Sequence, residues 1–269
     1  MTLHNTVRQQ LLGNLNTSQP DEVTQLNNAL RLLAKWRSKL IQDAFLQHHG
    51  TVVLAGPLKG MDFLPQSAEG CHIAKLLGCY EQPLLPFIER AIQHGYQRIL
   101  NIGCAEGYYA VGMARCMPGT QVLAFDLNLT AQQVCAQLAV KNGVAGRVNV
   151  GALFKLEDFA AYAGQDVLVL CDIEGAEREL LDPEAAPALK EMDLIVESHE
   201  CLIPGITKRL VDRFAATHDI IVVEDNGQRQ ISDAPGWFNN LTHLDQLLAV
   251  WEWRSGPTPW LVMKVREGG

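Results

Sequence analysis

The sequence predicts an α/β fold, a doubly wound and mostly parallel sheet with an N-terminal helical extension, and three observations predict it. From Glu81 onward, short strand-like and helix-like segments take turns. Several strand candidates are almost wholly apolar, as strands covered on both faces are. One of them runs into a glycine-punctuated turn that opens a helix, Arg98-Ile-Leu-Asn-Ile-Gly-Cys-Ala-Glu-Gly-Tyr-Tyr-Ala-Val-Gly112. Strand and helix alternating in this way means parallel pairing through right-handed crossovers.

At the N-terminal end, Ser18-Gln19-Pro20-Asp21 fits a capping-box start with proline in the first turn. Behind it Val23, Leu26, Leu30, Leu33, Trp36, Leu40 and Ala44 step by three or four residues, one apolar stripe along a helix that ends near Gly50. That stripe is expected to pack on the main domain; a dimer-forming or substrate-covering helix is the sharper reading. Thr51 to Ala55 reads as a short strand stopped by Gly56-Pro57, and Gly60 to Gly78 as a loop too long for mere connection. The expected organisation is an extension or cap over residues 1–80 and a sheet domain over 81–269.

Within that domain Leu84 to His94 reads as a helix, Arg98 to Ile102 as a strand and Tyr108 to Met117 as a helix. Gln121 to Phe125 is a strand, and Thr130 to Asn142 a helix capped by Thr130 with Gln133 and stopped by Gly143. Val148 to Phe154, Val167 to Cys171 and Leu194 to Val196 are the next strands. A helical stretch broken by Pro183 and Pro187 separates the last two. Ile206 to Thr217 is a helix, and Ile220 to Val223 and Trp260 to Val265 are the final strands.

Composition narrows the function classes. The 269 residues are 48% hydrophobic and 19% charged, the balance of a soluble globular chain, and none of its apolar runs is long enough to cross a bilayer. Twenty-two basic against thirty acidic side chains give a net charge of −8, which disfavours nucleic acid as a partner. Seven cysteines, with no C-x-x-C pair, support neither a zinc site nor a disulfide framework. They suggest a reducing compartment, and the first residues carry no apolar core behind a basic head. A cytoplasmic protein is expected.

The chemistry concentrates at strand ends. Gly103 and Gly107 let a ligand approach backbone at a helix N-terminus. A dinucleotide fingerprint would want glycine at 103, 105 and 108, but Ala105 and Tyr108 stand there, which disfavours a nicotinamide oxidoreductase. Asp126 closes Val122-Leu-Ala-Phe-Asp126, twenty-three residues after Gly103. An acid there can accept both hydroxyls of a ribose; the plainer alternative is that it caps the next turn.

With Ile99 to Gly107, Phe125-Asp126 and Asp172-Ile-Glu-Gly-Ala-Glu177, the chain resembles the class I S-adenosylmethionine (SAM)-dependent methyltransferases. The last motif and Gly78-Cys-Tyr-Glu81 are similar to features of FkbM-like members. The likeness covers about residues 78–225, with Asn101 where the family often has an acid. It implies a Rossmann-like, seven-stranded sheet and SAM as cofactor. The cofactor would be held by Glu81, Asn101, Gly103, Cys104, Ala105, Gly107, Asp126, Leu127, Leu153, Glu157 (or Asp158) and Asp172.

The methyl acceptor should lie over the ends of the fourth and fifth strands, where Asp172, Glu174, Glu197, His199 and Glu200 gather. His199 or Asp172 is read as a general base, with Glu197 as a further catalytic candidate. A second reading is a divalent metal held by Asp172 with Glu197 or His199. Glu177 is read as a helix-start acid favoured by the dipole. The function expected is O-methylation of a small molecule, with N-methylation or non-catalytic SAM binding as alternatives. A homodimer through the N-terminal helix is an assembly the sharper reading of that helix leaves open, and no nucleic acid or membrane partner is expected.

Overall fold

The computed structural model describes residues 2–16, 21–66, 71–231 and 234–266. Its elements, in chain order, are α1 (Leu3–Leu15), α2 (Glu22–His49), α3 (His72–Leu77), α4 (Leu85–His94), β1 (Arg98–Ile102), α5 (Tyr108–Cys116), β2 (Gln121–Phe125) and α6 (Leu129–Lys141). Then come β3 (Val148–Gly151), β4 (Val167–Cys171), α7 (Glu177–Leu180), β5 (Asp193–Glu197), α8 (Ile206–Phe214), β6 (His218–Val223), α9 (Gly236–Asn239), α10 (His243–Ala249) and β7 (Trp260–Val265). They divide into two compact units, Met1–Gly50 with Ala234–Trp251, and Thr51–Asp233 with Glu252–Gly269.

The second unit is built on the expected doubly wound sheet. Its strand order is β3-β2-β1-β4-β5-β7-β6, parallel from β3 through β5, with β7 antiparallel to both neighbours. The apolar runs are covered on both faces: Val167 to Cys171 is buried at every position. One face carries Leu100, Ile102, Val169, Val196 and Leu261 against Phe159, Leu181, Leu210 and Phe214. Strand β3 stops at Gly151, short of Phe154. It pairs only with β2, whose last residue, Phe125, lies opposite Gly151.

Two local expectations turn out differently. Thr51 to Ala55 forms no strand beyond a single bridge, Val52 to Asp62, because the chain doubles back through Gly56 and Gly60. Helix α6 is capped by Asn128, not Thr130. Asn128 has extended backbone and its Oδ1 accepts from Thr130 N–H at 2.9 Å, while Thr130 is already inside the helix. Residues 51–80, counted with the extension in the sequence, belong to the sheet unit: Leu54 N–H donates to Leu76 O, and the buried Lys75 ammonium reaches Glu106 beyond β1.

The other unit packs α1 and α10 on the long helix α2. The Ser18-Gln19-Pro20 part of the expected cap lies outside the described residues; Asp21 caps α2, accepting from Val23 N–H at 2.9 Å. The helix buries Ala29, Ser38, Ile41 and Phe45. Arg37 forms a two-point ion pair with Asp245 at 2.6 and 2.7 Å. The expected stripe is thus split: Trp36, Leu40 and Ala44 are half-buried, but Val23, Leu26 and Leu30 are 63–67% exposed. No described helix is long and apolar enough to cross a membrane.

Candidate functional site

Strand order reverses between β1 and β4, which are neighbours although β2 and β3 lie between them in the chain. The crevice outside the carboxyl ends of such a pair is where open α/β sheets take ligands. Gly103 leaves β1 there at φ +82°, and a Cβ on it would sit 1.6 Å from the Asp172 carbonyl oxygen beyond β4. No other residue lets the two strand ends come so close. Gly107 (φ +90°) then opens α5.

Three cavities meet at this point. The largest, about 510 Å³, is lined by Gly103, Asp126, Leu127, Leu153, Phe154 and Asp172 among others. A small one of about 30 Å³ is bounded by Lys75, Asn101, Gly103, Ala105, Tyr109, Asp172 and Trp260. A third, about 250 Å³, is walled by Tyr80, Asp172, Glu174, Glu197, His199 and Arg254. Asp172 belongs to all three.

Most of the cofactor residues expected from the sequence fall on these walls. The Asp126 carboxylate accepts from Ala105 N–H at 2.9 Å and from Asn128 N–H at 2.8 Å. It therefore ties the glycine turn to β2 while lining the large cavity, so the capping role and the ligand-facing position coexist. Leu127 and Leu153, 73% and 55% exposed, form an apolar rim. Asn101 is buried; its Nδ2–H donates to Leu170 O at 3.4 Å, and its Oδ1 has no partner among the described residues. Cys104 is buried beside Cys135, which raises its thiol pKa.

The structure does not bring Gly107, Glu157, Asp158 or Glu81 to the walls of these three cavities. Glu157 is exposed beside Lys155, and Asp158 accepts from Lys155 N–H at 2.8 Å in a capping box. Glu81 is buried one layer back, accepting from Tyr109 O–H at 2.5 Å and from Arg254 Nη2 at 2.8 Å. Its φ of +50° turns the chain there.

On the acceptor side, His199 is 4% exposed and faces four carboxylates. Its Nδ1 lies 3.0 Å from Glu177 Oε1, while Nε2 lies 3.5 Å from Asp172, 3.3 Å from Glu174 and 3.8 Å from Glu197. Glu177 Oε1 also accepts from Ile173 N–H at 2.8 Å, so the imidazole donates from Nδ1 and turns Nε2 toward the acids. Burial opposes the charged ring, but the Glu177 hydrogen bond and the charges of Glu197 and Glu174 outweigh it and hold the His199 pKa above its usual range. Asp172, Glu177 and His199 each offer a ligand atom within 4.8 Å of the others, a geometry open to a cation. Glu200 is drawn away to the start of α8, accepting from Thr207 N–H and Oγ1–H.

Two residues of weight escaped the sequence reading. Glu177, read as a helix-start acid suited to the dipole, is fully buried, and its Oε2 has no partner among the described residues. Arg254 joins Glu81, Glu197, Glu252 and Thr258. Arg229 adds Asp225 and Glu252, so four carboxylates share two guanidinium groups. Burial and the nearby Glu197 push the Glu81 pKa up to about 8, which relieves that excess of negative charge. A Trp-Glu-Trp-Arg run was the available signal for Arg254; Glu177 had none beyond its motif.

No family model and no curated protein matches the chain. Among solved structures it is similar to the O-methyltransferase TomG from Streptomyces achromogenes in complex with SAM, at 16% identity over 69% of this chain and 79% of that one (TM-score 0.48). It is also similar to an O-methyltransferase from Bacillus cereus in complex with SAH, at 14% identity over 98% and 100% (TM-score 0.47). A methyltransferase from Geobacter sulfurreducens matches at 14% identity over 67% and 77% (TM-score 0.44). These likenesses are distant, and the chemistry of the site is read from its own residues.

Proposed function

We propose that this chain is a SAM-dependent methyltransferase that methylates an oxygen of a small molecule. The observation that carries the reading is the meeting of three cavities at Asp172: a large one with an acid at its β2 end and an apolar rim, a small polar one, and a third lined by an imidazole. That division suits a donor with a nucleoside part and a charged tail, set beside a separate acceptor. SAM supplies an electrophilic methyl group on a sulfonium.

The residues then have distinct work. Asp126 accepts hydrogen bonds from ribose hydroxyls, and Leu127 and Leu153 cover the adenine. Asn101, with its unpartnered Oδ1, is an acceptor suited to an ammonium group, which makes the donor set fit this cofactor. His199 takes the acceptor hydroxyl's proton on Nε2, and Glu177 fixes its tautomer through Nδ1–H. Asp172 faces the junction where the methyl group passes. Aligning the two bound reactants contributes about 7–11 kcal/mol to such a transfer, more than any single side chain.

Calorimetry with S-adenosylhomocysteine (SAH) tests the cofactor, and NAD(P) binding in its place would overturn it. Transfer is tested with Asp172→Ala and His199→Ala on a turned-over acceptor. Full binding with no transfer to any acceptor would favour a cofactor-binding protein, and a methylated amine product the nitrogen alternative.

The Asp172, Glu177 and His199 grouping favours a second reading, a divalent cation. Two carboxylates and an imidazole suit magnesium, manganese or zinc. Glu197, expected among the ligands, keeps one oxygen on Arg254 and the other 3.8 Å from His199 Nε2. A cation there would polarise the acceptor oxygen. The exposed face of α2, Val23 to Leu33, is read as the seat of a second copy of the chain.

A further inference from the structure

The third cavity, walled in part by Glu174, Glu197 and His199, deepens the methyl-transfer reading and rests on it for its role as the acceptor site. We infer that the acceptor it takes is cationic: a small alcohol or phenol that carries an ammonium group on a short arm.

The charges on the wall do not balance. Asp172, Glu174, Glu197 and Glu252 line the cavity, against one guanidinium, Arg254, and one imidazole, His199. Both of these cationic groups are already engaged. Arg254 holds Glu81, Glu197 and Glu252, with its Nε 3.9 Å from Asp225. His199 faces Asp172, Glu174, Glu177 and Glu197. Arg229, behind the wall, is paired with Asp225 and Glu252. These ties join seven carboxylates (Glu81, Asp172, Glu174, Glu177, Glu197, Asp225 and Glu252) to two guanidinium groups and one imidazole. Negative charge stays in excess even with the Glu81 carboxyl protonated. An anionic acceptor would meet repulsion here, and a cation is drawn in.

A second observation lies within the same group. Glu177 is fully buried, and its carboxylate comes within 4.8 Å of ligand atoms on Asp172 and His199. Its Oε2 has no hydrogen-bond partner among the described residues. A buried oxygen left in that state calls for a donor. The sulfonium of SAM balances one carboxylate at most, at the junction that Asp172 faces. Glu174 stands on the acceptor wall with its side chain 80% exposed, and Glu252 lies on the stretch that leads into β7.

The rest of the wall favours an organic cation. Tyr80 and Trp253 help to complete it, and aromatic faces attract ammonium groups where carboxylates alone would suit a hydrated metal ion. At about 250 Å³ the cavity has room for a single substituted ring.

Three phenols of nearly one shape read the charge: tyramine with an ammonium arm, tyrosol with a neutral hydroxyl arm, and para-hydroxyphenylacetate with a carboxylate arm. Each is titrated by calorimetry into the full chain, free and loaded with SAH, in buffer that contains a chelator. Tyramine should bind about tenfold tighter than tyrosol, the effect of one charged hydrogen bond, and para-hydroxyphenylacetate more weakly than both. Glu174→Gln, a change at an exposed side chain, should reduce the advantage of tyramine about two- to fivefold and leave tyrosol unchanged. Added salt should shrink that advantage as well. Equal binding of the three, a preference for the carboxylate, or no binding of tyramine overturns the inference. So does manganese or magnesium that abolishes the preference for tyramine, since an inorganic cation would then hold the acids. A chain that prefers tyramine but binds no SAH leaves the cation site standing and overturns the methyl-transfer reading instead.

Discussion

Replacing Asp126 by asparagine separates the two roles of this side chain. In the free protein each carboxylate oxygen accepts one backbone N–H, from Ala105 at 2.9 Å and from Asn128 at 2.8 Å. Asparagine has one oxygen, so one of those donors loses its acceptor, at a cost of about 1–3 kcal/mol. At about 2–4 °C per kcal/mol for a unit of this size, the variant should melt a few degrees lower and remain folded. Binding should suffer further. A ribose hydroxyl loses a charged acceptor, about 1.5–3 kcal/mol, which is roughly 10- to 150-fold in Kd. Calorimetry should show that factor for both SAH and methylthioadenosine, since both carry the ribose. A folded Asp126→Asn protein that binds SAH within about threefold of the wild type would falsify the ribose assignment.

The acid limb of the kcat/KM profile should reflect His199, which must be neutral to accept a proton, and should lie above the ordinary histidine value of 6.5. Glu177→Gln removes the hydrogen-bonding anion, the foremost of the groups that raise the His199 pKa, so the limb should move to lower pH; His199→Ala should lower kcat by about 10²–10⁴. In unfolding experiments at stepped pH, the raised pKa makes the His199 contribution to stability complete below 6.5 and lost as pH climbs through the folded value. His199→Gln should flatten that dependence, and an unchanged slope would remove the carboxylate-held imidazolium from the account. A chelator should abolish turnover, and added manganese or magnesium restore it, if a cation bridges Asp172 and His199; undiminished turnover after chelation leaves the general base alone. Light scattering should find Leu26→Glu with Leu30→Glu at half the mass of the wild type, and equal masses would exclude a dimer through this face.

Much of the sheet was legible because burial on both sides writes itself as short apolar runs: β1, β2, β4 and β7 have the bounds the sequence suggests. The glycine turn was legible for a similar reason, since close approach of two strand ends tolerates only one residue type at Gly103. The N-terminal helix was harder. Its leucines mark a stripe, but which face is buried depends on α10, some two hundred residues away, whose Asp245 pairs with Arg37. Glu177 shows the same limit at one residue. An acid in a first helical turn suits the dipole whether it points to water or inward, and only the position of His199 decides between them. Lys75 gave no signal at all, because a lysine in a glycine-rich loop is ordinarily solvated.

The placement of β7 has a consequence for biosynthesis. This strand lies between β5 and β6, and β6 has no other partner in the sheet. A nascent chain released before Arg254 would hold β6 with no strand of the sheet to pair with, and Ser198 without the Pro259 carbonyl that its N–H and hydroxyl both reach. The segment leading into β7 also delivers Arg254 to Glu81 and Glu197. The pocket therefore matures only when the ribosome has made the far side of the sheet, and premature termination there should leave a soluble-looking core that cannot hold its ligand.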